Sequence, residues 1–147
     1  MWITIKKHFM KKVIGPGLLA GLVMLIVAMI LNYVFGAIWP SLAAEYANTD
    51  IFRAWEDWRM TYLFFAYYFV AGIVLAWAWS KVKKMFKGKY CQRGMHFGIA
   101  MWVVMSIPGM WMSYAGFQLS LAIIVSWLVM NLINYMIAGA IFAKMNK

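Results

Sequence analysis

The sequence predicts an all-α membrane protein, a four-transmembrane-helix bundle. Two observations carry that prediction. Three apolar runs, Val13 to Trp39, Met60 to Ser80 and Gly94 to Ala143, contain no Asp, Glu, Lys or Arg. The charged residues are sorted by sign between those runs, with all four acids, Glu45, Asp50, Glu56 and Asp57, in the first link and most of the bases elsewhere. Composition agrees: 147 residues at 66% hydrophobic and 12% charged cannot hide their apolar surface inside one small soluble globule.

A helix needs about 20 residues to cross the hydrocarbon core of a bilayer. The first run supplies one span, about residues 13–39, and the second another, about 60–80. The third is long enough for two. Pro108-Gly109 is a helix-breaking pair, and Ser113-Tyr114-Ala115-Gly116-Phe117-Gln118 is a polar, glycine-containing link, which divides the run into about 94–113 and 119–143. Ser120 suits the start of the last helix, and Lys144 and Lys147 suit its carboxyl end, where the helix dipole favours cations. The beginning is like a secretory leader, with Lys6 to Lys12 ahead of an apolar run and Ser41-Leu42-Ala43-Ala44 behind it. Leader cores, however, run to about 7–15 apolar residues. The first helix is therefore expected to be retained.

The first link has its own pattern. Ile51, Phe52, Trp55 and Trp58 recur at helical spacing, while Asp50, Arg53, Glu56 and Asp57 fall mostly on other faces, and Thr49 or Asp50 suits a cap. This predicts a short amphipathic helix lying at the outer interface, with Asp50, Arg53, Trp55, Glu56, Asp57 and Trp58 as a candidate outer docking segment.

Charge sorting also predicts orientation. Lys6, Lys7, Lys11 and Lys12 precede the first span, Lys81, Lys83, Lys84, Lys87, Lys89 and Arg93 separate the second from the third, and Lys144 and Lys147 close the chain. Short basic links stay in the cytoplasm, so both termini are expected there, in a multi-pass protein of the cytoplasmic (inner) membrane. The net charge of +10 then addresses anionic lipid headgroups at the cytoplasmic basic loop, and no nucleic acid. Cys91, the one cysteine, falls in that loop and makes no internal disulfide. Aromatic placement agrees with the orientation, Trp39, Trp55, Trp58 and Trp111 falling at the outer interface and Trp2, Trp77 and Trp79 at the inner. Trp102 and Trp127 fall nearer mid-span, facing lipid or another subunit.

Within the spans, small residues four apart mark helix-packing faces: Gly17 with Gly21, Gly94 with Gly98, and Gly72 with Ala76. No Asp, Glu, Lys or Arg lies well inside any span, which removes the usual apparatus of proton coupling and acid–base chemistry. The polar residues left there are neutral. Asn32, Asn131 and Asn134 are candidates for a polar path or for interhelical hydrogen bonds, the latter being the more common use. Met101 and Met105 have a spacing that can hold a soft metal, but chance predicts about one such pair among fourteen methionines, and core filling explains it better. His8, Cys91 and His96 match no zinc spacing, and with no histidine deep in a span a buried bis-histidine haem is excluded. The sequence thus predicts no enzyme, no metal site and no cofactor.

The run Gly17 to Met24, then Trp39-Pro40-Ser41-Leu42-Ala43-Ala44-Glu45-Tyr46, Arg93-Gly94-Met95-His96-Phe97-Gly98, Ile107-Pro108-Gly109-Met110, Ser126-Trp127-Leu128 and Ala138 to Lys144 resembles an uncharacterised family of small four-helix bacterial and archaeal integral membrane proteins. The resemblance implies the fold and brings no activity, cofactor or ligand residue with it. The expected function is that of an accessory or structural subunit, as a homo-oligomer or with other membrane subunits. The alternative is a small oligomeric channel or carrier for a neutral or soft-cation solute, with the asparagines along its path.

Overall fold

The computed structural model describes residues 10–146. Among them it contains six α-helices and no strand: α1 (Gly15–Ile38), α2 (Pro40–Tyr46), α3 (Trp58–Val82), α4 (Tyr90–Met101), α5 (Ile107–Gly116) and α6 (Leu121–Met145). Trp2, Lys6, Lys7, His8 and Lys147 lie outside the described residues. Four stretches are long and apolar enough to cross a membrane: Lys12–Ile38, Trp58–Met85, Tyr90–Gly116 and Leu121–Met145. The four-helix architecture read from the sequence is therefore present, and the second and third spans run longer than expected because their helices continue into the basic link on both sides.

Two local expectations change. Pro108 does not break the third span. A π-helical turn at Trp102–Ser106 precedes it, and Pro108 then sits in the first turn of α5. The wider turn accommodates the missing N–H and the ring, so the helix continues to Gly116. The break comes at Phe117, where the backbone is extended, and Ser120 caps α6 by accepting from the Ile123 N–H at 3.3 Å.

The predicted amphipathic helix over the first link is also displaced. The short helix is α2, earlier in the chain, with Pro40 at its first position. From Ala47 to Asp57 the chain is a run of turns. Asn48 Oδ1 accepts the Asp50 N–H at 3.0 Å and closes a local turn, and Asp57 caps α3 by accepting the Arg59 N–H at 2.9 Å. The side chains of Asn48 and Asp57 are thus spent on local backbone N–H groups, a use that competes with helix formation. Trp58 belongs to α3.

Backbone contact at glycines joins the spans in pairs. A Cβ at Gly17 would stand 2.7 Å from Ile73 Cα, and one at Gly21 2.7 Å from the Tyr68 carbonyl oxygen, with Gly72 facing both from α3. In the other pair a Cβ at Gly94 would stand 2.7 Å from Ala140 Cα and one at Gly98 2.6 Å from Met136 Cα, with Gly139 facing them from α6. Only a missing side chain permits such approach. The two hairpins repeat each other: Tyr68-Phe69-Val70-Ala71-Gly72 on α3 corresponds to Tyr135-Met136-Ile137-Ala138-Gly139 on α6, and both tyrosines are buried. The two copies run in the same direction, as a parallel repeat does.

The hairpins meet along α1 and α6, and at one end through an aromatic cluster in which Phe97 stands 5.2 Å from Trp79, 5.8 Å from Phe86 and 6.4 Å from Phe142, centroid to centroid. Trp79, expected at the inner interface, is fully buried in this cluster with the Arg93 guanidinium 5.8 Å over its ring. Nearby, Asn146 Nδ2 donates to the Lys12 carbonyl at 2.9 Å, Lys83 Nζ to the Asn146 carbonyl at 3.2 Å, and Arg93 Nη2 to the Lys83 carbonyl at 3.2 Å. Both ends of the described chain and the basic link thus share one end of the bundle, and the acidic link occupies the other.

A candidate binding cavity under the acidic link

Toward the acidic end a second buried cluster, Leu42, Leu119, Ile123 and Ile124, packs with Phe35, Met110 and Trp127. A cavity of about 690 Å³ opens there. Met29, Asn32 and Gly36 of α1 form one wall, and Phe64, Phe65, Tyr67 and Tyr68 of α3 another. Trp127, Met130 and Asn131 of α6 stand behind, and Leu42, Ala43 and Tyr46 of α2 together with Phe52, Arg53 and Trp55 of the link form the roof. Its volume is in the range of sites for drug-sized molecules.

The roof is tied down by aromatic packing and a few hydrogen bonds. Tyr46 lies 5.3 Å from Phe52 and 6.5 Å from Trp127, and Phe52 is 6.3 Å from Trp127. Trp127 Nε1 donates to the Tyr46 hydroxyl at 2.6 Å. Burial pushes the Tyr46 hydroxyl above the ordinary phenol range, against the opposing pull of its hydrogen bonds, so it stays neutral under physiological conditions. Glu45 accepts the Ser120 N–H at 2.8 Å and fixes α2 to the start of α6. Trp55 packs on Phe64 at 5.2 Å, and Thr61 Oγ1 donates to the Trp55 carbonyl at 3.0 Å.

Of the candidates read from sequence, Asn32 and Asn131 come together, from different helices, in one cavity. Asn134 does not join them. It is 2% exposed, and its Oδ1 is buried without a hydrogen-bond partner among the described residues. Three residues along a helix advance about 300°, so two asparagines at that spacing differ by about 60° in azimuth, enough to put one on the cavity and the other in the core. Arg53 and Trp55 of the docking segment reach the roof, and Asp57 pairs with Arg53 at 3.2 Å. Asp50 and Glu56 are exposed outside the cavity, and exposed Trp58 packs against Tyr62 at 6.1 Å. Gly17, Gly21, Gly72, Gly94 and Gly98 all lie on helix seams.

Met101 and Met105 are elsewhere, Met101 packed against the core and Met105 exposed, whereas Met29, Met60, Met110 and Met130 line the cavity. Trp127 and Trp102 are likewise used within the bundle, Trp102 Nε1 donating to the Leu128 carbonyl at 2.8 Å. Sequence reasoning missed Tyr46, Tyr67 and Tyr68 as site residues. Their signal was limited to a tyrosine-rich α3, and nothing links Tyr46 to Trp127, 81 positions away, before the fold is known.

The cavity offers neutral amide and phenol groups on a wall of aromatics and methionines. Its one charged lining residue, Arg53, is engaged by Asp57 at the exposed rim. The chain matches no protein-family model, no curated protein and no solved structure.

Proposed function

We propose that the protein is a non-catalytic, multi-pass protein of the cytoplasmic membrane that holds a small solute in the cavity beneath its acidic link, as a binding protein or carrier. The observation that carries this reading is the convergence of Asn32 from α1 and Asn131 from α6 on one cavity, beside the Tyr67 and Tyr68 phenols. In the proposed orientation both termini and the basic link are cytoplasmic, beside anionic headgroups, and the cavity opens in the outer half of the bilayer. The glycine seams and aromatic cluster close the opposite half, which favours a blind site over an open channel.

The accessory-subunit reading draws on a different observation. The third span is the least covered, with 17% of its apolar window buried against 44% for the first, and no residue of α5 is buried. That face meets lipid or another subunit, a second copy of this chain included.

Native mass spectrometry of the full chain, extracted in mild detergent, separates the two. A co-purifying small molecule that Asn131→Leu abolishes is the expected result. A chain that carries only protein partners, or a bound mass unaffected by substitution at Asn131 and Asn32, refutes the solute reading.

A further inference from the structure

We infer that the occupant of this cavity is an uncharged amphiphile that partitions into the bilayer and enters sideways between α1 and α3; this rests on the cavity being a solute site. Three observations lead to it. The first is the depth distribution of polarity. At the roof stand Arg53 and its partner Asp57, while deeper in the cavity the polar groups are the amides of Asn32 and Asn131 and the phenols of Tyr67 and Tyr68. An ion taken to that depth loses its hydration and meets no opposite charge, so a charged headgroup or free ion is disfavoured. An amide offers donors and an acceptor together, which suits a hydroxyl or carbonyl.

The second observation is the wall. Met29, Met60, Met110 and Met130 come from both hairpins and alternate with aromatic rings. Thioether side chains are unbranched and adapt to irregular apolar shapes, which fits a flexible hydrocarbon better than a compact polar solute. A soft metal ion would be the other use of four thioethers, but the amides and rings between them give a site of mixed lining rather than a sulfur cage.

The third is the opening. Met29, Phe65 and Tyr67 line the cavity at span depth, yet are 54%, 39% and 48% exposed. They lie on the acidic side of the Gly17/Gly21/Gly72 seam that joins α1 and α3. In the proposed orientation an opening beside Met29 and Phe65 would face the acyl region of the bilayer, so a molecule dissolved in the membrane would reach it without passing the roof.

The test uses the full chain in vesicles and four photoactivatable diazirine probes: a long-chain alcohol, the matching fatty acid, the matching alkyltrimethylammonium and a short water-soluble alcohol. Peptide mapping of adducts on the native sequence decides the site, independent of any variant's folding. The long-chain alcohol is expected to label Met29, Phe65, Tyr67 or Met130 in preference to the other three, and Asn131→Leu to lower that labelling about five-fold, the worth of roughly one hydrogen bond. Preferential cavity labelling by the fatty acid, the ammonium or the short alcohol overturns the neutral-amphiphile inference and leaves the solute site standing. Labelling by all four probes confined to residues outside the cavity overturns both.

Discussion

Adding one methyl group at Gly21 should separate the first helix pair, and the structure sets the scale. The new Cβ would lie 2.7 Å from the Tyr68 carbonyl oxygen and 2.9 Å from Phe69 Cα, both backbone atoms that cannot rotate away. Restoring the 3.4 Å of ordinary contact moves the helices apart by about 0.7 Å. A gap of that order along the seam forfeits about a quarter to a half of each contact's attraction, and overpacking of this kind costs about 1–3 kcal/mol. Gly109→Ala is the matched control, because nothing lies within 4 Å of its added Cβ. There the helix gains up to about 1 kcal/mol from the lower backbone entropy of alanine. Both variants share that gain, so equilibrium unfolding in mixed micelles should separate them by the overpacking cost of about 1–3 kcal/mol, Gly21→Ala being the weaker. Equal stabilisation by both would refute the seam, since a glycine facing lipid behaves as Gly109 does.

Further outcomes follow from the site. Asn134→Leu should leave stability unchanged or raise it by about 1 kcal/mol, because it removes a buried acceptor without a partner among the described residues; a loss of that size in the same unfolding assay would mean that Oδ1 is satisfied, by water or by a ligand. Tyr46→Phe should cost about 1–3 kcal/mol, since the Trp127 Nε1 donor loses its acceptor in a part-buried setting, and chemical unfolding reads the difference. Arg53→Ala should change stability by less than about 1 kcal/mol, because the Arg53–Asp57 pair is 63% and 30% exposed, and a drop well beyond that would mean the roof depends on the ion pair. A cysteine replacing Asn48 should react with an impermeant maleimide added outside intact cells while Cys91 does not; the reverse pattern would invert the proposed orientation.

The spans were legible because bilayer-length apolar runs and sorted charges are one-dimensional signals, and so was the Ser120 cap, which depends only on its neighbours. The roof was misread for a definite reason. Ile51, Phe52, Trp55 and Trp58 have helical spacing, but Asn48 and Asp57 each bind nearby backbone N–H groups, and those local hydrogen bonds hold the chain in turns. The first helices only hint at the hairpin repeat, with Gly17/Gly21 and Gly94/Gly98 each following basic residues and with links of unequal length, whereas the clearest match lies in the second helices, at Tyr68 to Gly72 and Tyr135 to Gly139. The cavity itself had no sequence signal. Asn131 and Asn134 look equivalent until the rotation of α6 is known, and the four lining methionines are scattered through the chain from Met29 to Met130.

Rigidity and opening are divided along the length of the bundle, and the same glycines account for both. Where Gly17, Gly21 and Gly72 meet, and again at Gly94, Gly98 and Gly139, backbones touch and leave no volume for a ligand. Gly36, further along α1, has nothing within 4 Å of an added Cβ and lines the cavity instead. The close-packed half also contains the fully buried Trp79, Phe97 and Phe142, so helix positions there are fixed by interlocking rings as well as by backbone contact. Away from those seams the space between the helices is filled by side chains, by lipid or by a ligand. The chain fills the roof with Phe52 and Trp127 but leaves about 690 Å³ beneath it. A purely structural subunit would gain stability by filling that space with larger apolar side chains, because closing a void restores lost contacts. Retaining two asparagines there instead makes sense where something uncharged is to be held.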